Sequence, residues 1–316
     1  GAGCRGGGGD GGAGRLSLAV VHHPDYVGPL RPGHRFPMSK YGCLRQVLEA
    51  RGLMQPGGWL APAPASVAML TLAHGWDYVE RALGLRLTDE EVRRIGLPQT
   101  EQVVRRARLA SSGAALAARL ALERGIACNG AGGSHHAARD WGAGYCVFND
   151  VAVAAATLLA EGVVDRIAVI DADVHQGDGT ARIFEGDARV FTLSIHAERN
   201  FPARKAVSDL DVGLPDGADD AAYLAAFSAA IDAMFTRFSP DLVFYNAGVD
   251  VHRDDRLGRL SLSDEGLRAR DRMALEAARA RDLPVVGVLG GGYADDPMTV
   301  AIRHAILFEE AARLSD

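Results

Sequence analysis

The apolar positions of this chain follow two rhythms. Near-continuous β-branched runs at 18–21, 167–170, 190–195, 242–245 and 285–289 read as strands buried on both faces. A shorter run at 126–128 is of the same kind. Between them, Ala/Leu/Arg-rich stretches over 101–124, 149–161, 219–237, 264–281 and 297–314 predict helices. Asn149-Asp150 and Ser263-Asp264 read as helix N-caps, and Ser239-Pro240-Asp241 as a turn into the next strand. Strand–helix–strand repetition predicts an α/β protein, a three-layer α/β/α arrangement with a mostly parallel central sheet. Residues 28–66 are rich in Pro and Gly and are expected to form long surface loops rather than a domain boundary. The stretch 1–14, GAGCRGGGGDGGAG, cannot bury enough surface to order itself and is expected to be a disordered leader. Residues 15–316 then form a single domain.

The polar residues that end these runs carry the chemistry. In an open α/β sheet, ligands sit beyond the carboxyl ends of the strands. The run 167–170 leads into Asp171, Asp173, His175 and Asp178. The run 190–195 ends at His196, 242–245 leads to Asn246 and Asp250, and 285–289 leads to Gly290-Gly291-Gly292-Tyr293. The shorter run precedes Gly132-Gly133-Ser134-His135-His136. Residues two apart on an extended segment point the same way, so Asp173 and His175 can converge on one cation, with Asp250 as a third ligand. Two oxygens, one nitrogen and an open position describe a catalytic zinc site, although the same donors admit Fe(II), Co(II) or Mn(II). Hydrolysis also needs a proton acceptor and a proton donor. His135 and His136 fit that need, with Asp171 and Asp178 as the carboxylates that orient them. Tyr293, after three glycines, can donate a hydrogen bond to a developing oxyanion. These parts fit metal-assisted hydrolysis of an amide.

Composition narrows the picture further. The chain has 316 residues and a net charge of −6, so no sequence-wide basic field argues for nucleic acid. Its four cysteines form no CxxC pair, which argues against a disulfide framework and makes a reducing, cytoplasmic setting the expectation. No apolar run reaches the ~18–20 residues that would span a bilayer, and no secretory signal is read at the N-terminus.

The motifs GGSHHA (132–137), GYCVFNDVAVA (144–154), DADVHQGDGT (171–180), NAGVDVHRDDRLGRLSLS (246–263) and LGGGY (289–293) together resemble the zinc-dependent histone deacetylase superfamily, of arginase-like fold. HRFPMSKY (34–41) and IGLPQTEQV (95–103) make the chain most similar to bacterial relatives of the class IV deacetylases. The resemblance implies zinc on Asp173, His175 and Asp250. It implies His136 with Asp178 as general base and acid, His135 with Asp171 acting electrostatically, and Tyr293 on the acyl carbonyl. It places Tyr145 and Phe201, with Gly144 and Gly291, around an acyl-lysine channel. It further implies a structural K⁺ beside the zinc strand, at Asp171, Asp173, His175 and Ser194, and a second near Phe184 and Val190. His34, Met38 and Lys40 would line an inner pocket below the zinc.

Two departures stand out. The substrate-gripping aspartate of many relatives falls at Gly96, and a channel aromatic that is usually Phe is Tyr145. The expected activity is removal of an acetyl or longer acyl group from lysine, the alternative being a deacetylase of acetylpolyamines or another small N-acyl amine. A binuclear ureohydrolase fits less well, because the metal strand reads Asp-x-Asp-x-His rather than Asp-x-His-x-Asp. A non-catalytic acyl-lysine binder would not need the full set of catalytic residues. Among other polar groups, His22-His23 fits a strand-to-loop exit near the pocket mouth. His74 and Trp76 fit packing or capping at a helix end, and Cys146 a buried position near the channel. Arg253-Asp254-Asp255-Arg256 fits a solvated loop held by local ion pairs. No membrane or nucleic-acid partner is expected, and oligomeric state is left open.

Overall fold

The computed structural model describes residues 18–54 and 57–315, so the glycine-rich stretch 1–14 lies outside the described residues. Seven strands form one sheet: β1 (Ala19–Val21), β2 (Ile126–Asn129), β3 (Ile167–Asp171), β4 (Val190–Ala197), β5 (Leu210–Leu214), β6 (Leu242–Asn246) and β7 (Val285–Val288). All pairings are parallel, in the order β1-β2-β7-β6-β3-β4-β5. β2, β3, β4, β6 and β7 are buried throughout, which is why their runs carry no polar alternation. β5 is the exception. It is an edge strand whose Leu-Asp-Val-Gly-Leu alternates toward solvent, and its sequence gave no continuous apolar signal.

The helices are α1 (Lys40–Ala50), α2 (Val67–Leu70), α3 (Trp76–Leu83), α4 (Asp89–Ile95), α5 (Glu101–Arg124), α6 (Asp150–Ala160), α7 (Asp178–Ile183), α8 (Asp220–Arg237), α9 (Asp264–Arg279) and α10 (Pro297–Arg313). α5 packs on β1, β2 and β7 and against α6 on one side of the sheet. α1, α10, α9 and α8 pack in succession on the other, completing three layers. Asn149 and Ser263 cap α6 and α9 as expected, accepting from the backbone N–H groups of Ala152 and Gly266. The Pro/Gly-rich stretch is not loop throughout: α1 interrupts it, burying Leu44, Val47 and Leu48 on one face. No helix among the described residues is long and apolar enough to cross a membrane. Cys43, Cys128 and Cys146 are unpaired.

The register places the site. Asp171 ends β3 beside Asn246 of β6 on one side and Ser194 of β4 on the other. The loops after β2, β3, β6 and β7 therefore leave the sheet at the same edge. Arg270 of α9, fully buried, ties two of them together by donating to the carbonyls of Ala172 (3.2 Å) and Gly248 (2.5 Å). Its charge is balanced by Asp271 at 2.8 Å, which also accepts from the Tyr245 hydroxyl.

Candidate active site

Asp173, His175 and Asp250 offer one ligand atom each, all within 4.8 Å of one another, and all three side chains are buried. His175 Nδ1 lies 3.0 Å from Asp173 Oδ1 and 3.2 Å from Asp250 Oδ2. Backbone N–H groups hold the carboxylates in place: Gly291 and His175 donate to Asp173, and Val174 donates to Asp250. Asp250 Oδ2 is buried without a hydrogen-bond partner. A Cβ on Gly291 would stand 2.0 Å from that oxygen, so glycine there keeps a cradle open. An orphaned buried carboxylate oxygen is costly. Shared by two carboxylates and an imidazole, it fits a divalent cation.

Electrostatics point the same way. Burial works against a charged His175, but its hydrogen bond to Asp173 and the adjacent Asp250 carboxylate outweigh that and lift it to about 10. Burial and the neighbouring Asp173 charge push Asp250 up, while Asp173 is held well below the usual carboxylate range, chiefly by His135 and His175, against its burial. A proton thus sits among groups that a cation would bridge.

Two histidine–carboxylate pairs flank the triad. His135 Nδ1 is 2.6 Å from Asp171 Oδ2, and His136 Nδ1 is 2.7 Å from Asp178 Oδ1. The rings stand 4.1 Å apart. Their states diverge. Burial disfavours the imidazolium at both, but Asp171 and Asp173 together raise His135 to about 9. His136 feels the His135 charge on top of burial and falls to about 4. Both Gly133 and Ser134 donate backbone N–H bonds to Asp150, which fixes the loop that presents these histidines. Asn246 donates to Asp171 at 2.9 Å, orienting the first pair.

Tyr293 is buried beside the triad, its ring 6.4 Å from that of His175. Burial and the Asp250 and Asp173 charges raise its phenol well above the ordinary value, so it stays a donor. Phe201 stands edge-on to His136 at 4.8 Å, and Tyr145 lies 5.9 Å from Tyr293. Together with Gly144 they line a cavity of about 340 Å³ that reaches His136 and His175. Gly144 has φ +54, and a Cβ there would meet the His136 ring at 2.5 Å. Ser194 is buried; its Oγ lies 3.0 Å from His196 Nδ1 and accepts from Gly177 N at 3.4 Å.

Several expectations need correction. His34 does not lie in the inner pocket: its Nε2 is 3.0 Å from the Gly96 carbonyl and its ring packs near Tyr145. Met38 and Lys40 do not line that pocket either. Lys40 is buried, donates to the Gly290 carbonyl at 3.2 Å, and is pushed down to about 8, chiefly by burial. The inner cavity is lined instead by Phe36, Tyr41 and Arg106, which the sequence reading missed. His22 and His23 do leave β1 as a strand-to-loop exit, but His22 packs against Tyr26 and Trp59 and lines neither cavity. Asp255 is not part of a solvated run. It turns inward and accepts from the backbone N–H groups of Leu257, Gly258 and Tyr293. Burial and the Asp250 charge raise it to about 7. His74 does serve packing: its Nε2 accepts from Asn149 N at 2.9 Å.

A family model described as the histone deacetylase domain matches residues 34–307, and the chain belongs to that family of deacetylases. An uncharacterized protein of the cyanobacterium Picosynechococcus sp. is 46% identical over 94% of this chain and 99% of its own. Histone deacetylase 2 of Arabidopsis thaliana is 31% identical over 82% of this chain and 70% of its own length. The crystal structure of a histone deacetylase homolog complexed with SAHA superposes with a TM-score of 0.78, at 23% identity, over 94% of this chain and 84% of that one. That likeness fixes the fold as the three-layer arginase/deacetylase type.

Proposed function

We propose that this chain is a metal-dependent amidohydrolase that removes an acetyl or longer acyl group from lysine side chains. The observation that carries the reading is the orphaned Asp250 oxygen in a buried triad flanked by two histidine–carboxylate pairs. Asp173, His175 and Asp250 would hold the ion, zinc by the character of the donors, with Fe²⁺ also admitted. When bound, such an ion supplies a Lewis acid for the acyl carbonyl and lowers the pKa of a bound water.

The protein groups divide the remaining work. His136 is neutral near pH 7 and has Nδ1 engaged by Asp178, which leaves Nε2 to take a proton from the attacking water. Its low affinity for that proton then makes it a strong acid toward the departing amine. His135, whose Nδ1 pairs with Asp171, favours the imidazolium in the metal-free site and would steady negative charge at the reacting centre. Tyr293 donates its O–H to the carbonyl oxygen as that oxygen gains charge. Tyr145 and Phe201 wall the acyl-lysine channel, with Gly144 and Gly291 leaving it room. A K⁺ ion at Asp171 and Ser194 would serve structure only.

One observation favours a smaller N-acyl amine as a second reading. Gly96 closes α4 with φ +77, and a Cβ there would meet the Tyr145 ring at 3.1 Å. The rim therefore offers no carboxylate at that position to grip a peptide backbone. The test is turnover by zinc-loaded protein of acetyl-, octanoyl- and myristoyl-lysine peptides and N-acetylputrescine, with His136→Ala as control. Cleavage of a lysine peptide that the control abolishes supports the first reading. Turnover of the polyamine alone replaces it with the second.

A further inference from the structure

The cavity of about 340 Å³ above the triad has a one-sided charge. Its lining includes Arg35, Arg93 and Arg94 and no aspartate or glutamate. Arg35 comes from the loop after β1; Arg93 and Arg94 come from the last turn of α4. All three are exposed. Elsewhere on this surface arginines sit on acids: Arg81 on Glu91 at 2.7 Å, Arg105 on Asp25 at 2.7 Å, and Arg259 on Asp216 at 3.1 Å. Among the described residues, none of the three rim arginines has such a partner. Arg94 is instead steadied by the Gly142 carbonyl at 3.1 Å and the Trp141 ring at 5.2 Å. In a chain of net charge −6, this opening is a local positive field.

The rest of the rim preserves that bias. Gly96, between these arginines and the channel, cannot take a side chain without displacing Tyr145. The nearest acid of the 253–256 run, Asp255, has both oxygens occupied by backbone N–H groups behind the wall. Like charges left facing one opening repel each other until an anion arrives. A guanidinium offers a carboxylate a paired, directional contact.

We propose that the mouth selects acyl-lysine substrates whose flanking residues are acidic, the Arg35, Arg93 and Arg94 guanidiniums receiving Asp or Glu carboxylates on the amine side of the scissile amide. The inference rests on the lysine-deacylase reading. The acyl group enters toward His136 and His175, so the carrier of the amine stays at the rim, within reach of these three residues. A Lys/Arg-rich tail or a polyamine meets like charge there.

The test compares peptides with one acetyl-lysine core flanked by Glu, by Gln or by Lys, on the zinc-loaded full chain. The ratio of kcat/KM for the Glu peptide to that for the Lys peptide is read within each enzyme, so active fraction cancels. At low salt the ratio is expected to be about tenfold, shrinking as salt rises and shortens the Debye length to a few ångströms. In the Arg35→Glu/Arg93→Glu variant the ratio should fall below one. A wild-type ratio at or below one at low salt overturns the proposal. If no peptide is cleaved, equilibrium binding of the same labelled peptides separates the two claims. Tighter binding of the Glu peptide keeps the rim assignment and sinks the lysine-deacylase reading. Equal or tighter binding of the Lys peptide overturns the rim assignment.

Discussion

The floor and the mouth of the channel are built on opposite terms. The floor holds Asp171, Asp173, Asp178 and Asp250, all buried, each carboxylate bound to a histidine or backbone N–H group. The mouth holds three exposed arginines from a loop and a short helix end. The floor is rigid because strand ends in register deliver its residues, and buried ionic groups tolerate little error. The mouth is free to vary because water already solvates its charges. Chemistry is therefore tied to the fold, and substrate choice to the connections between its elements.

Tyr293 joins the two regions, and after His136 its replacement has the largest expected effect of a single variant. Tyr293→Phe should lower kcat by about 100- to 1000-fold, the usual loss for one oxyanion donor, while metal content stays unchanged. Near-normal turnover would remove Tyr293 from the floor's chemistry.

The floor also makes a pH prediction. In the metal-free site His175 holds its proton up to about 10, against an ordinary 6.5. Ligation needs the neutral ring, so uptake at pH 7 must release that proton. Metal affinity should therefore rise with pH, about tenfold per unit, until pH passes His175's own value. Calorimetry in buffers of differing ionisation enthalpy reads the release directly, and uptake without it would contradict the triad.

Asp255 sharpens the boundary between floor and mouth. Its oxygens fix the backbone of Tyr293 and of Leu257, a residue that lines the outer cavity. Asp255→Asn would present an N–H donor to one of those donors. A kcat loss of about tenfold, with KM moved far less, is expected from losing one backbone anchor. A change confined to KM would assign Asp255 to the mouth alone.

The smallest effect belongs to the helix that carries two of the rim arginines. Thr88 caps α4 in a reciprocal capping box with Glu91. Thr88→Ala should cost about 1 kcal/mol in denaturant unfolding. No loss at all would mean that α4 is held by its packing alone.

The same division decided what the sequence disclosed. Six of the seven strands were legible as apolar runs, β2 as the shortest of them, and the floor residues followed from where those runs end. β5 was missed because an edge strand shows alternation, not a run. α1 was missed because flanking Pro and Gly masked Leu44, Val47 and Leu48, spaced to share one helix face. The signature of α4 was present in Thr88 and Glu91 and went unread. Arg106 gave no signal: among Arg105, Arg106 and Arg108, nothing in the spacing says that Arg106 alone turns inward. Asp255, inside a run of alternating charge, reads as solvated until the fold turns it toward Tyr293. No local pattern brings Arg35 and Arg93 to one opening, because their proximity comes from tertiary packing.

The most direct test of the account is a metal titration of stripped protein, following hydrolysis of an acetyl-lysine peptide and bound metal together. Activity should rise in proportion to zinc until a single ion fills the Asp173–His175–Asp250 site. His136→Ala should take up the same ion and stay silent. Hydrolysis by fully stripped protein, or retained turnover in His136→Ala, would contradict the account.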